Sequence, residues 1–200
     1  MRHLVLIIPI VMLVGCSSAI SPAIQEYTIY PASDQAAPTV AHSSKILRLS
    51  TTKPLPSLAS RNLYYLKDGG ESGSYLYTRW SDTPAILIER SLSSALHEQG
   101  LFTSLLTPTS AAQADWVLES DLNAFYHRFE TGQKSAGVID ITYRLIDTKT
   151  KLLISSKRFR IATAAASEDA KGGIDALTLA TRELTEQSTR WLSIQVQEKK

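Results

Sequence analysis

Three stretches in the second half of the chain alternate apolar and polar residues with a period of two: "DWVLESDLNAFYHRFE" (115–130), "GVIDITYRLID" (137–147) and "LLISSKRFRI" (152–161). Side chains on a strand point alternately to opposite faces, so each stretch has one face for a core and one for water. The alternation puts Trp116, Leu118, Leu122 and Tyr126 on one face of the first strand. On the second it separates Ile139, Ile141, Tyr143 and Leu145 from Asp140, Thr142 and Arg144. On the third, Phe159 and Ile161 oppose Arg158 and Arg160. Three such strands in succession predict an antiparallel meander with one wet face and one buried face. That buried face needs a cover, and a final helix over about 170–197 supplies it. Its apolar stripe follows Gly172-Gly173 and consists of Ile174, Leu177, Leu184, Trp191 and Ile194.

The first half repeats this arrangement on a smaller scale. "KILRLS" (45–50) is a short strand ended by the loop of Pro54 and Pro56. "NLYYLK" (62–67) and "SYLYTRW" (74–80) are aromatic-rich runs on either side of a Gly-rich connection, which predicts a hairpin. "TPAILIERSLSSALHEQG" (83–100) carries helix signals at both ends: Thr83 as N-cap, Pro84 at the first helical position and Gly100 as C-cap. Ile88, Leu92, Ala95 and Leu96 fall on one face of the resulting helix, over about 84–99. "LFTSLL" (101–106) is another short strand. The expected fold is therefore α+β, a two-layer sandwich of a mainly antiparallel sheet with two packed helices.

The N-terminus follows a different logic. Arg2 and His3 precede an uncharged apolar run over 4–15, the outline of an export signal and too short to span a bilayer, which takes about 20 apolar residues. The run ends in Leu13-Val14-Gly15-Cys16, and Cys16 is the only cysteine in the chain. This tetrapeptide resembles the bacterial lipobox. There the small Gly15 admits the peptidase to the Gly15–Cys16 bond and the Cys16 sulfur accepts diacylglycerol. The reading divides the chain into a signal peptide (1–15), a lipidated cysteine and flexible tether (16–44) with a short strand near 26–30, and a single folded domain (45–200). With Cys16 acylated no disulfide can form, so the domain must be held by its core alone. A diacylglyceryl group with an N-acyl chain anchors stably, because two or more chains exceed the marginal binding of one. Ser17 after the cysteine points to the outer membrane, with the domain facing the periplasm.

Little in the sequence suggests catalysis. Removing Arg2 with the leader leaves 20 basic and 19 acidic residues and no basic stripe, so a nucleic-acid partner is not expected. "GGESGSY" lacks the lysine of a phosphate-binding loop, and His97-Glu98 lacks the second histidine of a zinc-protease motif. His42 and His127 stand apart, in a loop and on a strand. Asp115, Glu119 and Asp121 read as outward carboxylates of a half-exposed strand rather than a metal cluster. The expectation is a non-enzyme with no metal and no cofactor beyond the lipid on Cys16.

The lipobox, the short "YTIY" strand (27–30) and "ILRLSTTKPLPSLASRNLYYLKDGGESGSYLYTRWSDTPAILIERSLSSAL" (46–96) together resemble the auxiliary lipoprotein components of ABC-type transport systems, including the Pqi-type outer-membrane lipoproteins. The elements that carry the likeness are the proline turn at 54–56, Tyr64-Tyr65, Tyr77 with Arg79-Trp80, and the polar-proline step into the helix from Ser81 to Leu92. "ADWVLESDLNAF", "YRLID" at 143–147, "RF" at 158–159 and the last helix extend it over 13–195, with the "DTKTK" turn departing from the pattern by lacking a glycine. The resemblance implies a non-catalytic component of a lipid or organic-solvent transport system. Its implied partners are an MCE-domain protein, an inner-membrane permease and a separate ATPase, and a homo-oligomer is left open. Arg79 and Trp80 are the candidate partner-binding residues. Against that stands a structural role, with Trp80 packed under the Pro84 helix and Arg79 neutralising a carboxylate. Two other functions compete with the adaptor: a lipid carrier, which needs an apolar cavity between sheet and helices, and an envelope-structural lipoprotein without a transport role.

Overall fold

The computed structural model describes residues 22–30, 42–132 and 134–198. The lipobox with Gly15 and Cys16, and most of the tether, lie outside these residues. Nine strands form one mixed sheet, and two helices cover one of its faces.

The predicted meander is its frame. Strand β7 (Trp116–Glu130) pairs antiparallel with β8 (Lys134–Asp147), and β8 with β9 (Leu153–Ala164). The burial of β8 follows its sequence strictly, with Ile139, Ile141, Tyr143 and Leu145 all buried. On the wet face the polar residues pair across strands: Asp121 with Arg144, and Asp140 with Arg158, whose Nε donates to Oδ1 at 2.7 Å. Strand β7 departs from simple alternation. Its register to β8 runs Leu122↔Ile141 and then Ala124↔Asp140, so Asn123 is one extra residue. A bulge of this kind reverses the parity of everything after it. Tyr126, expected inside, is therefore only half-buried, and Phe125 and His127 are buried instead.

The other edge of β7 is shared by three short strands, all parallel to it: β2 (Ser43–Leu49), β3 (Lys53–Pro54) and β4 (Asn62–Leu66). The chain runs along β7 in three steps, breaking at 50–52 and again after Pro54, so this edge of β7 is paired in parallel within a sheet whose long pairings, β7–β8 and β8–β9, are antiparallel as expected. The hairpin is present, as β4 against β5 (Ser72–Trp80). Strand β6 (Phe102–Leu106) lies parallel to β2 at one edge. At another edge β1 (Gln25–Tyr27) pairs parallel with β5. It is shorter than the expected 26–30 strand, and Ile29 just beyond it is buried. The folded body thus includes residues before 45, and the boundary expected at Lys45 falls inside β2.

Helix α1 (Pro84–Glu98) follows Thr83 and ends at Gln99, with Gly100 one position beyond at φ 56°. Thr83 occupies the N-cap position without a side-chain hydrogen bond. Leu87, Ile88, Leu92 and Leu96 are buried, while Ala95 at the edge of the stripe is half-buried. Helix α2 (Ala170–Glu198) starts at Asp169, whose Oδ1 accepts the Gly172 N–H at 2.8 Å as an N-cap. It lies across β8 and β9. Ile174, Leu177, Leu184 and Trp191 face the sheet as expected, but Ile194 is 45% exposed, and Leu192 and Val196 fill the last turns instead. A helix advances 100° per residue, so 192 and 196 share a face from which 194 points away. Trp191 stacks on Tyr143 at 6.4 Å and meets Phe159 edge-on at 6.1 Å, joining helix to meander.

Candidate functional site at the tether junction

Arg79 and Trp80 close β5 at the point where the chain emerging from the tether joins the sheet. The register pairs Glu26 with Arg79 and Tyr27 with Trp80. Alternation then sends the two β5 side chains in opposite directions. Trp80 turns inward, is fully buried and meets Phe125 edge-on at 5.5 Å. Its Nε1 has no hydrogen-bond partner among the described residues. In this structure it presents no surface to a partner, and its role is in the core. Arg79 turns outward and donates from Nε to Glu26 at 2.8 Å, with Arg61 Nη1 3.6 Å from the same carboxylate. The Arg79 hydrogen bonds, more than Arg61, hold the Glu26 carboxyl below its ordinary range. Backbone bonds from Ser81 N–H to Tyr27 O and from Trp80 N–H to Arg61 O, both 2.7 Å, complete the junction. Mechanically, this ties the tether to the sheet. The exposed part of Arg79 is all that remains of the expected partner-binding pair.

A second cluster went unrecognised in the sequence. The bulge at Asn123 turns His127 inward, where its Nδ1 lies 2.8 Å from the Tyr75 hydroxyl and its ring is tilted 4.4 Å from Phe129. Nε2 has no partner among the described residues. Gly173 on α2 sits directly on the ring, so that a Cβ there would be 2.6 Å from Nδ1. Burial lowers the basicity of His127, opposed by nearby Asp169, and pushes the Tyr75 hydroxyl up to about 12. A neutral imidazole under the N-terminus of a helix is a packing element, since a charged one would meet the positive end of the helix dipole. Gly172-Gly173 was the available signal: two glycines in a helix mark a close approach.

The remaining features are structural. Asp121 pairs with Arg144, and Asp115 Oδ2 accepts the Ile46 N–H at 2.9 Å. Glu119 stands opposite Arg144 in the register. No group of three or more His, Cys, Asp or Glu able to hold a metal occurs among the described residues. An open cleft of about 830 Å³ beside Arg48, Ala112, Asp115 and Lys149 is polar, and its Arg48 is committed to Ala112 O. Between sheet and α1, the space bordered by Leu49, Leu92, Leu118 and Tyr143 is about 10 Å³, which holds at most about one water. An acyl chain does not fit there. Among the described residues no helix is long and apolar enough to cross a membrane.

A mixed sheet covered on one face by two helices, with β1 held against β5 at its edge, defines an α+β domain. The chain belongs to the family of ABC-type transport auxiliary lipoprotein components, whose model matches residues 27–188. The fold is similar to that of protein XCC0632 from Xanthomonas campestris, with a TM-score of 0.75 at 19% identity over 88% of this chain and 98% of that one. It is also similar to the hypothetical protein CT253 from Chlamydia trachomatis, with a TM-score of 0.55 at 12% identity over 77% and 98% of the two chains. No curated protein matches the sequence.

Proposed function

We propose that the protein is a non-catalytic, lipid-anchored component of an ABC-type transport system that moves lipid or organic solvent across the envelope. Cys16 carries the diacylglyceryl and N-acyl chains after cleavage at Gly15–Cys16. The anchor lies in the outer membrane, and the domain faces the periplasm. It docks an MCE-domain protein that connects to an inner-membrane permease and a separate ATPase. The reading is supported chiefly by the family match over 27–188 directly behind a lipobox at 13–16. A domain without a nucleotide-binding loop relies on a separate ATPase for energy, in agreement with an auxiliary role.

Two experiments test this. Cys16→Ala leaves the precursor uncleaved and unlabelled by radioactive palmitate; label entering that variant rules out the lipobox. Crosslinking in intact cells followed by purification recovers an MCE-domain protein and transporter subunits. Recovery of no transport component rules out the adaptor.

A further inference from the structure

The outer rim of the tether junction carries apolar side chains that the fold displays instead of burying. Leu76 is 80% exposed, Ile24 51% and Tyr77 46%. Regular pairing of β4 with β5 would continue from Tyr64↔Ser74 to Asn62↔Leu76, whereas the observed partner of Asn62 is Arg79. Three extra residues are therefore accommodated in β5, and the ladder is interrupted where Leu76 and Tyr77 stand out. The parallel register Gln25↔Thr78 brings Ile24, the residue before Gln25, alongside Tyr77, the residue before Thr78. The register thus brings Ile24 beside Tyr77, and Leu76 adjoins them where the ladder is interrupted, so three exposed apolar residues from two distant chain segments meet at one edge of the sheet. Next to it Arg61 and Arg79 share the single carboxylate of Glu26, which leaves this rim net positive.

We infer that Ile24, Leu76 and Tyr77 seat this edge of the domain in the interfacial layer of the bilayer that holds the Cys16 lipid, with Arg61 and Arg79 toward anionic headgroups. The inference rests on the lipid anchor proposed above. Ile24 is eight residues from Cys16. At no more than ~3.6 Å per residue the patch therefore lies within about 29 Å of the anchored cysteine. Aliphatic residues with a tyrosine and flanking arginines are the composition that settles at a membrane–water interface. With one edge seated on the bilayer, the domain has a fixed orientation on its tether instead of free rotation about it.

The test uses the full lipidated protein in vesicles of phosphatidylethanolamine and phosphatidylglycerol. Acylation of Cys16 leaves an introduced thiol as the sole site for a nitroxide label. Leu76→Cys is compared with Leu152→Cys, at a residue 67% exposed in the β8–β9 turn. The label at 76 is expected to lose most of its access to a water-soluble nickel chelate and to gain oxygen collisions, while the label at 152 keeps full chelate access. Equal chelate access at both positions overturns the inference. So does shielding at 76 that comes with spin–spin broadening at high protein density, which would assign the patch to a second copy. The mass of the Cys16 peptide is read on the same sample. An unmodified Cys16 defeats the anchor alone, and the two labels in a Cys16→Ser background, mixed with the same vesicles, then decide the patch.

Discussion

Gly137 and Trp191 mark the two ways in which α2 is held to the sheet. At Gly137 the helix backbone lies directly on β8, and a Cβ there would be 2.6 Å from Leu177 N and 2.7 Å from Ala176 C. Backbone cannot swing aside, so Gly137→Ala is expected to lower stability by about 1–3 kcal/mol through overpacking. An unchanged urea midpoint would show that the helix is free to lift. At Trp191 the attachment is a large aromatic surface, 6% exposed. Trp191→Ala is expected to cost about 3–5 kcal/mol, a large part of the stability of an ordinary domain. A variant that keeps its melting temperature would place the indole outside the core. His127 adds a pH dependence. Burial lowers its folded-state pKa below the ordinary 6.5, and the facing groups are Tyr75, which stays protonated, and Asp169. The unfolded imidazole then takes up a proton that the folded one refuses. This contribution leaves stability unchanged above about pH 6.5 and reduces it as pH falls below that. Urea midpoints at pH 5 and pH 7 measure the drop, which shrinks in His127→Gln.

Among the elements, β7 and β1 depend most on details of register. Deleting Asn123 removes the bulge but keeps the pairings on either side of it, so Phe125 and His127 stay inward opposite Ile139 and Gly137 and only Ala124 turns to the wet face beside Asp140. The deletion variant is therefore expected to keep cooperative unfolding, followed by circular dichroism. Loss of the cooperative transition would mean that the bulge itself is needed to hold β7 against β8. Strand β1 is three residues long and hydrogen-bonded to β5 on one side. Its hold depends on the Arg79–Glu26 pair and on the buried Ile29. A chain beginning at residue 22 is therefore expected to melt higher than one beginning at residue 45, with the gain traceable to Ile29→Ala. Equal melting curves would reduce β1 to an ornament of the tether.

At the level of the whole molecule, both helices, the hairpin and the three long strands were legible in the sequence. Each is dictated by periodicity and end signals within a dozen or so neighbouring residues. The folded domain is accordingly expected to form without a ligand, and neither a chelator nor ATP is expected to shift the melting temperature; a shift of several degrees with either would reopen the question of a bound group. The expected lipobox at 13–16 lies outside the described residues. Three features of the fold were not legible in the sequence. The parallel pairing of β2, β3 and β4 along one edge of β7 depends on how far the connections at 50–52 and 55–61 carry the chain, a distance that hydrophobic alternation does not encode. The inward turn of Phe125 and His127 depends on a single inserted residue, Asn123, visible only against its partner β8. The apolar edge of Ile24, Leu76 and Tyr77 exists because β1 returns beside β5. Local pattern determined which segments are strands and helices and which face of each is apolar, since those follow from neighbouring side chains on one backbone. Tertiary structure decided which strands meet and what is left exposed, since pairing free energy is shared between segments distant in the chain and neither partner alone specifies it.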